Sequence, residues 1–172
     1  KKSINFKNCY ANGTRTAYGL GSILCSWPVI PGYPIIRHPI YQNTKNNKGT
    51  FSSIMKNING KYNTIFMYGG NSSFDQMKPF VESNQFDAII DHASDPFLQS
   101  FKYDNETQGV NPWGVFDHHL FERYIQLMDE NLEKANPMFV TILSTTNHLP
   151  WIIPEQYRSD IPPYESKKKD FE

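Results

Sequence analysis

At 172 residues the chain is long enough to bury one substantial core and too short for two. Its composition, 38% hydrophobic and 15% aromatic, excludes a disordered polypeptide. Seventeen basic residues balance seventeen acidic ones, so no net field recruits nucleic acid or an anionic membrane. No apolar run approaches the ~20 residues that a membrane span needs, and no signal-like start is present.

In chain order, Ile4 to Ala11 alternates apolar and polar residues, which predicts a strand entering the core. Asn12-Gly13 marks a turn. Thr16 to Ser26 reads as a helix with Leu20, Ile23 and Leu24 on one face, ended by Trp27-Pro28 because proline cannot continue the backbone ladder. Residues 28–49, rich in Pro, Gly and Asn, read as a long loop. Thr50 is placed to cap a short helix over Phe51 to Asn57 that stops by Gly60. "NTIFMY", Asn63 to Tyr68, predicts a strand that runs into Gly69-Gly70.

Ser72 or Ser73 caps a predicted helix over Phe74 to Ser83, although Pro79 fits its interior only if the helix starts late. "FDAIID", Phe86 to Asp91, predicts a second short strand. "NPWGVFD" leads to a helix from Asp117 to Lys134, whose apolar positions Leu120, Phe121, Tyr124, Leu127, Met128 and Leu132 follow the helical period. Asp117 is read as its N-cap. "MFVTIL", Met138 to Leu143, is a continuous apolar run, as in a central strand buried on both faces. Strands alternating with helices predict an α/β fold, a three-layer sandwich around a mostly parallel sheet. Both chain ends read as interior sequence, so the expectation is a part of a longer protein with the sheet truncated at both ends.

In such folds ligands bind beyond the carboxyl ends of the strands. Three loops meet there: "NGTRT", "YGGNSSFDQM" and "STTNHLPW". Thr16 opens a helix, where free N–H groups and the macrodipole favour an anion. Its hydroxyl serves as a nucleophile only if a base or a metal removes the proton. Arg15 offers a bidentate contact to the same oxyanion. The simpler reading of Thr16 is a helix cap, and both stay open on the residues alone. His148, just past the apolar strand, suits acid, base or hydrogen-bond donation.

Tyr68 and Asp75 draw interest because their loop faces the crevice, and Arg37-His38 lies in a loop that nothing yet fixes. His118-His119 reads as helix surface. Cys9 and Cys25 are too few for structural zinc; a disulfide between them and two buried free thiols both stay open. There is no P-loop, nucleophile elbow or dinucleotide fingerprint. Asn12-Gly-Thr14, Asn71-Ser-Ser73 and Asn105-Glu-Thr107 fit the glycosylation pattern, which is common by chance.

"FKNCYANGTRTAYGLGSILCSWPVIPG" closely resembles the nucleophile segment of the sulfatase-like branch of the alkaline phosphatase superfamily, and by pattern the lipoteichoic acid synthases and phosphoglycerol transferases. The phosphoethanolamine transferases share a shorter version of it. The similarity continues through "YNTIFMYGGNSSFDQMKPF", "FDAIID", "NPWGVFDHHLFERYIQLMDE" and "PMFVTILSTTNHLPW", in the family's order, from about Phe6 to Pro154.

The resemblance implies an alkaline-phosphatase-like fold in a membrane-anchored, extracytoplasmic (periplasmic or cell-surface) enzyme. Such an enzyme moves a substituted phosphoryl group from a phospholipid to a cell-envelope acceptor. Residues 1–172 would be the nucleophile-bearing middle portion of its catalytic domain. The resemblance places a metal-bound threonine nucleophile at Thr16 and a substrate-contacting histidine at His148. It makes Arg15, Tyr68 and Asp75 candidates for substrate contact, and it implies a divalent metal ion (Mn, Mg or Zn) in the full-length enzyme. Partners would be a phospholipid head group or another phosphate or sulfate ester, with membrane attachment through other segments.

Three departures stand out. In the loop that contacts the phosphoglycerol head group, lipoteichoic acid synthases carry His, Trp and Arg, where this chain has Tyr68, Asp75 and Met77. The formylglycine signature, Cys or Ser followed by x-Pro-x-Arg, is absent around Thr16. The family's metal-ligating glutamate and Asp-His pair have no counterparts, since Asp91-His92 follows the wrong strand and Asp117-His118 opens a helix. The 172 residues alone are therefore expected to be inactive and to bind no active-site metal tightly. Alternatives to transfer are hydrolysis of a phosphate or sulfate ester, and a homologue that binds without chemistry.

Overall fold

The computed structural model describes residues 4–42, 49–58, 62–102, 109–132 and 136–160. Its centre is a sheet of three parallel strands: β1 (Asn63–Tyr68), flanked by β2 (Ala88–Asp91) and β5 (Met138–Leu143). Ile65 of β1 pairs with Ala88 on one side and Val140 on the other. Side chains of β1 alternate between two cores, as the pleat requires. Phe66 and Tyr68 join a core with α1 (Thr16–Cys25) and α4 (Met77–Ser83), while Ile65 and Met67 join one with α5 (Pro96–Gln99) and α6 (Asp117–Asn131). This is the predicted three-layer α/β arrangement.

Short elements complete it. They are α2 (Pro39–Gln42), α3 (Phe51–Asn57), 3-10 turns at Ile35–Arg37, Phe74–Gln76 and Glu155–Asp160, and a hairpin of β3 (Val110–Asn111) and β4 (Gly114–Val115). The hairpin was not predicted, because two-residue strands are too short to show a period. Thr50 caps α3 as expected, its hydroxyl accepting from Ser53 N–H while the Ser53 hydroxyl accepts from Thr50 N–H.

Several expectations are corrected. Residues 4–11 form no strand and are exposed, with Ile4, Phe6 and Tyr10 at 82%, 76% and 88% exposure. Alternation selects a face, but a strand also needs a partner, and none of the described residues supplies one. On α1 the buried stripe is Ala17, Leu20, Gly21 and Leu24, with Ile23 facing outward. The helix ends at Ser26, whose left-handed conformation returns backbone bonds to Ser22 and Gly21.

The helix predicted from Phe74 begins at Met77, after left-handed residues Asp75 and Gln76. Pro79 thus falls in its first turn, and neither Ser72 nor Ser73 caps it. β2 starts two residues late because the Asp87 carboxylate turns back to accept from Thr64 N–H and its hydroxyl. Among the described residues β5 is an edge strand, half-buried throughout, and the central strand is β1. An apolar run reports two covered faces and says nothing of two paired edges. α6 stops at Asn131, and Lys134 lies outside the described residues. Its Leu120 and Leu127 are buried, whereas Phe121, Met128 and Leu132 are exposed.

Candidate active site

β1 ends in Gly69-Gly70, and those glycines are dictated by a neighbour rather than by a turn. A Cβ on Gly70 would meet the Trp113 carbonyl oxygen at 2.3 Å. A Cβ on Gly114, which sits at φ +146°, would meet the Gly69 oxygen at 2.0 Å. The hairpin therefore lies backbone to backbone on the end of the central strand, fixed by Val115 N–H to the Gly69 carbonyl at 2.9 Å.

The following loop is held from β2. Asp91 is buried and accepts from Ser72 N–H at 2.8 Å and from the Ser94 hydroxyl at 2.5 Å. Burial opposes its charge, but these hydrogen bonds outweigh burial and keep its carboxyl below the usual carboxylate range. His92 N–H reaches the Gly70 carbonyl at 3.0 Å. The loop after β5 is held from α6: Asp117 Oδ1 accepts from Thr145 N–H at 2.7 Å and from Thr146 N–H at 3.0 Å. Thr146 Oγ1 accepts in return from Asp117 N–H at 2.8 Å. Asp117 is thus not the N-cap. Phe116 occupies that position, and Asp117, one residue inside the helix, clamps the "STTN" backbone.

These latches close a cavity of about 40 Å³ at the carboxyl end of the sheet. Thr16, Tyr68 and His148, one from each predicted loop, line it together with Phe74, Met77 and Trp113. Ser144 and Thr145 complete the wall. Thr16 is the first residue of α1, after Arg15 at the N-cap position, and no side chain caps the helix. The cap reading of Thr16 therefore does not hold. No described acceptor takes the first-turn N–H groups of Thr16 and Ala17, so the anion-favouring end of α1 is uncapped at the residue, Thr16, that lines the cavity.

Tyr68 is buried, and burial, reinforced by Asp75 and Asp91, pushes its phenol above the usual range, so it stays neutral. Asp75 and Arg15 do not line the cavity. The Asp75 carboxylate is engaged by Arg37, which thereby gains the fixed position that sequence did not give it. Arg15 is exposed, with no side-chain partner among the described residues.

Sequence reasoning missed Trp113. The tryptophan was visible in "NPWG", but only the unforeseen hairpin brings it to the cavity. His118 and His119 are also more than helix surface. Half-buried, His119 stacks on Phe101 and His118 meets Tyr157 edge-on, and burial lowers the basicity of both. Cys9 is exposed and Cys25 buried, both as free thiols, and burial pushes Cys25 up to about 12. A second cavity, about 620 Å³ between α6 and β5, is a groove without carboxylate, imidazole or threonine.

Among the described residues no three His, Cys, Asp or Glu side chains come together to hold a metal ion. The residues present thus do not fit the divalent cation that the resemblance implies beside Thr16. No helix among them is long and apolar enough to cross a membrane.

Comparison with known proteins agrees with this fold. The family model described as Sulfatase matches residues 1–171. A solved protein of the alkaline phosphatase superfamily from Vibrio parahaemolyticus is 27% identical, with a TM-score of 0.70 over 92% of this chain and 35% of its own. The lipoteichoic acid synthase LtaP from Listeria monocytogenes, 17% identical, shares the fold with a TM-score of 0.70 over 93% of this chain and 35% of its own. The chain spans about a third of the length of either structure. Matched over nearly its whole length, the chain belongs to the sulfatase family, with the fold of the alkaline phosphatase superfamily.

Proposed function

We propose that the full-length protein is a phosphotransferase that uses Thr16 as its nucleophile and moves a substituted phosphoryl group from a phospholipid to a cell-envelope acceptor. Residues 1–172 supply the nucleophile-bearing part of its catalytic domain. The observation that carries this reading is that Thr16 and His148, 132 positions apart in sequence, line one small cavity at the open N-terminus of α1. A phosphate diester seated there meets N–H dipoles that favour its charge.

In the first half-reaction the Thr16 oxygen bonds to phosphorus as the bond to the leaving alcohol breaks. The threonine proton passes to water, and the leaving oxygen takes up a proton from His148, the imidazole that lines the cavity, acting as the imidazolium. In the second half, an acceptor hydroxyl attacks the phospho-threonine, loses its proton and restores Thr16. Superfamily members typically use divalent metals. A cation at Thr16 would take ligands beyond those that the described residues offer. Membrane anchoring and an extracytoplasmic location belong to the same proposal, supported by the fold shared with the lipoteichoic acid synthase.

The test is Thr16→Ala in the full-length protein, incubated with phospholipid labelled in its head group. Turnover should fall by about 10³-fold or more with the fold intact. Near-normal turnover would refute the assignment. Label in the acceptor glycan identifies transfer, whereas label in solution identifies hydrolysis.

A further inference from the structure

We infer that Trp113 is a positioning residue that holds the His148 imidazole against the cavity, an inference that rests on the function proposed above. His148 is exposed and sits in a loop, so its side chain needs an external support to keep one orientation. Among the described side chains, Trp113 gives that support. The two ring centroids lie 3.9 Å apart with a 43° tilt, and the indole Nε1–H donates to the Leu149 carbonyl at 2.7 Å, one residue beyond the histidine. One side chain thus grips both the ring and the backbone that carries it.

The grip is useful because Trp113 is itself immobile at its root. Its N–H donates to Asn111 Oδ1 at 2.8 Å. Its carbonyl abuts Gly70, and its neighbour Gly114 abuts Gly69. Phe74 meets the indole edge-on, 5.8 Å between centroids at 72°, and closes the aromatic wall. The central strand, the hairpin and the histidine loop are therefore linked through this indole.

The same carbonyl settles which histidine nitrogen is free. Nδ1 lies 3.1 Å from the Leu149 oxygen, which can only accept, so Nδ1 carries a proton. Nε2 is the nitrogen left unengaged by the described residues; in the imidazolium it carries the second proton, the one that can pass to the leaving oxygen. Without Trp113, neither the ring plane nor the Leu149 carbonyl is held, and productive geometry becomes one rotamer among several.

The test uses the full-length protein with bis(4-nitrophenyl) phosphate and Mn²⁺, and the variants Trp113→Ala, Trp113→Phe, His148→Gln and the doubles. Trp113→Ala should lower kcat by about 10- to 100-fold with KM nearly unchanged, since positioning acts on the reacting geometry. Trp113→Phe, which keeps a ring but loses the N–H, should recover part of that loss. In the His148→Gln background the Trp113 substitutions should have little further effect, because their target is gone.

Full additivity of the two losses, or Trp113 variants with wild-type kcat, would overturn the inference. If Trp113→Ala does not fold, the cycle built on Trp113→Phe decides by the same criterion. Failure here is distinguishable from failure of the proposed function: an active Thr16→Ala enzyme refutes the latter, whereas an inactive one with additive Trp113 and His148 effects refutes only the former.

Discussion

Residues 4–15 and residues 69–77 are both largely irregular, and both lead to the same cavity, yet they are held in opposite ways. The first is exposed except at half-buried Gly13, and its one side-chain tie among the described residues is from Asn12 Nδ2 to Ser22 Oγ at 3.0 Å. The second buries Gly69, Gly70, Ser72 and Met77, and is fastened by Asp91, by the Trp113–Gly114 backbone and by the Arg37 pairing with Asp75. The difference shows where the site gets its geometry. Thr16 is placed by the buried stripe of α1 that follows it, not by the segment that leads to it. The opposite wall is placed by latches to the sheet.

This contrast can be broken at graded cost. Gly114→Ala should be the most damaging of the backbone changes. It forces a side chain onto the Gly69 carbonyl at a φ that L residues rarely adopt, for about 3 kcal/mol or more of unfolding free energy. Urea denaturation that shows a loss below about 0.5 kcal/mol would mean that the hairpin is not pressed against the strand.

Asp91→Asn should cost less, about 2 kcal/mol, because a neutral amide keeps part of the bonding to Ser72 and Ser94. The sign of its pH dependence follows from the lowered carboxyl. The stabilisation is complete above the ordinary value of 3.8 and is lost as pH falls through the lower folded value, so wild-type stability should decline on that acid limb and the variant's less so. Parallel acid limbs in both proteins would remove Asp91 as the latch. At the other end of the scale, Phe6→Ser should change stability by no more than about 0.5 kcal/mol, since the side chain is already 76% exposed. A large loss would show that residues 4–15 are anchored after all.

The same contrast explains what could be read from the sequence. Local signals survived: "NTIFMY" is β1 residue for residue, Thr50 caps α3, and Pro79 announced the late start of α4. Signals that depend on distant partners did not. The alternation of residues 4–11 and the apolar run of β5 each describe side-chain faces, while strand pairing is decided by what lies beside them. Asp117 looked like a cap because caps are local, yet its carboxylate serves a loop 28 residues away.

The glycines after β1 were legible as a break, but the reason for them, the close approach of Trp113 and Gly114, belongs to the tertiary structure. At the site, the three loops converge as the α/β topology predicts, and Thr16, Tyr68 and His148 line one cavity. Asp75 was chosen by loop membership alone, and the structure engages it with Arg37.

The central claim is that Thr16 is the attacking group, and the most direct measurement is capture of the covalent intermediate. Full-length protein would be mixed with a labelled phosphate diester and a divalent cation, quenched in acid within the first turnovers, digested and mapped by mass spectrometry. The account predicts a phosphoryl adduct on the peptide that contains Thr16, localised to that residue and absent from Thr16→Ala. An adduct on another residue, or turnover that persists in Thr16→Ala with no adduct at all, would contradict it.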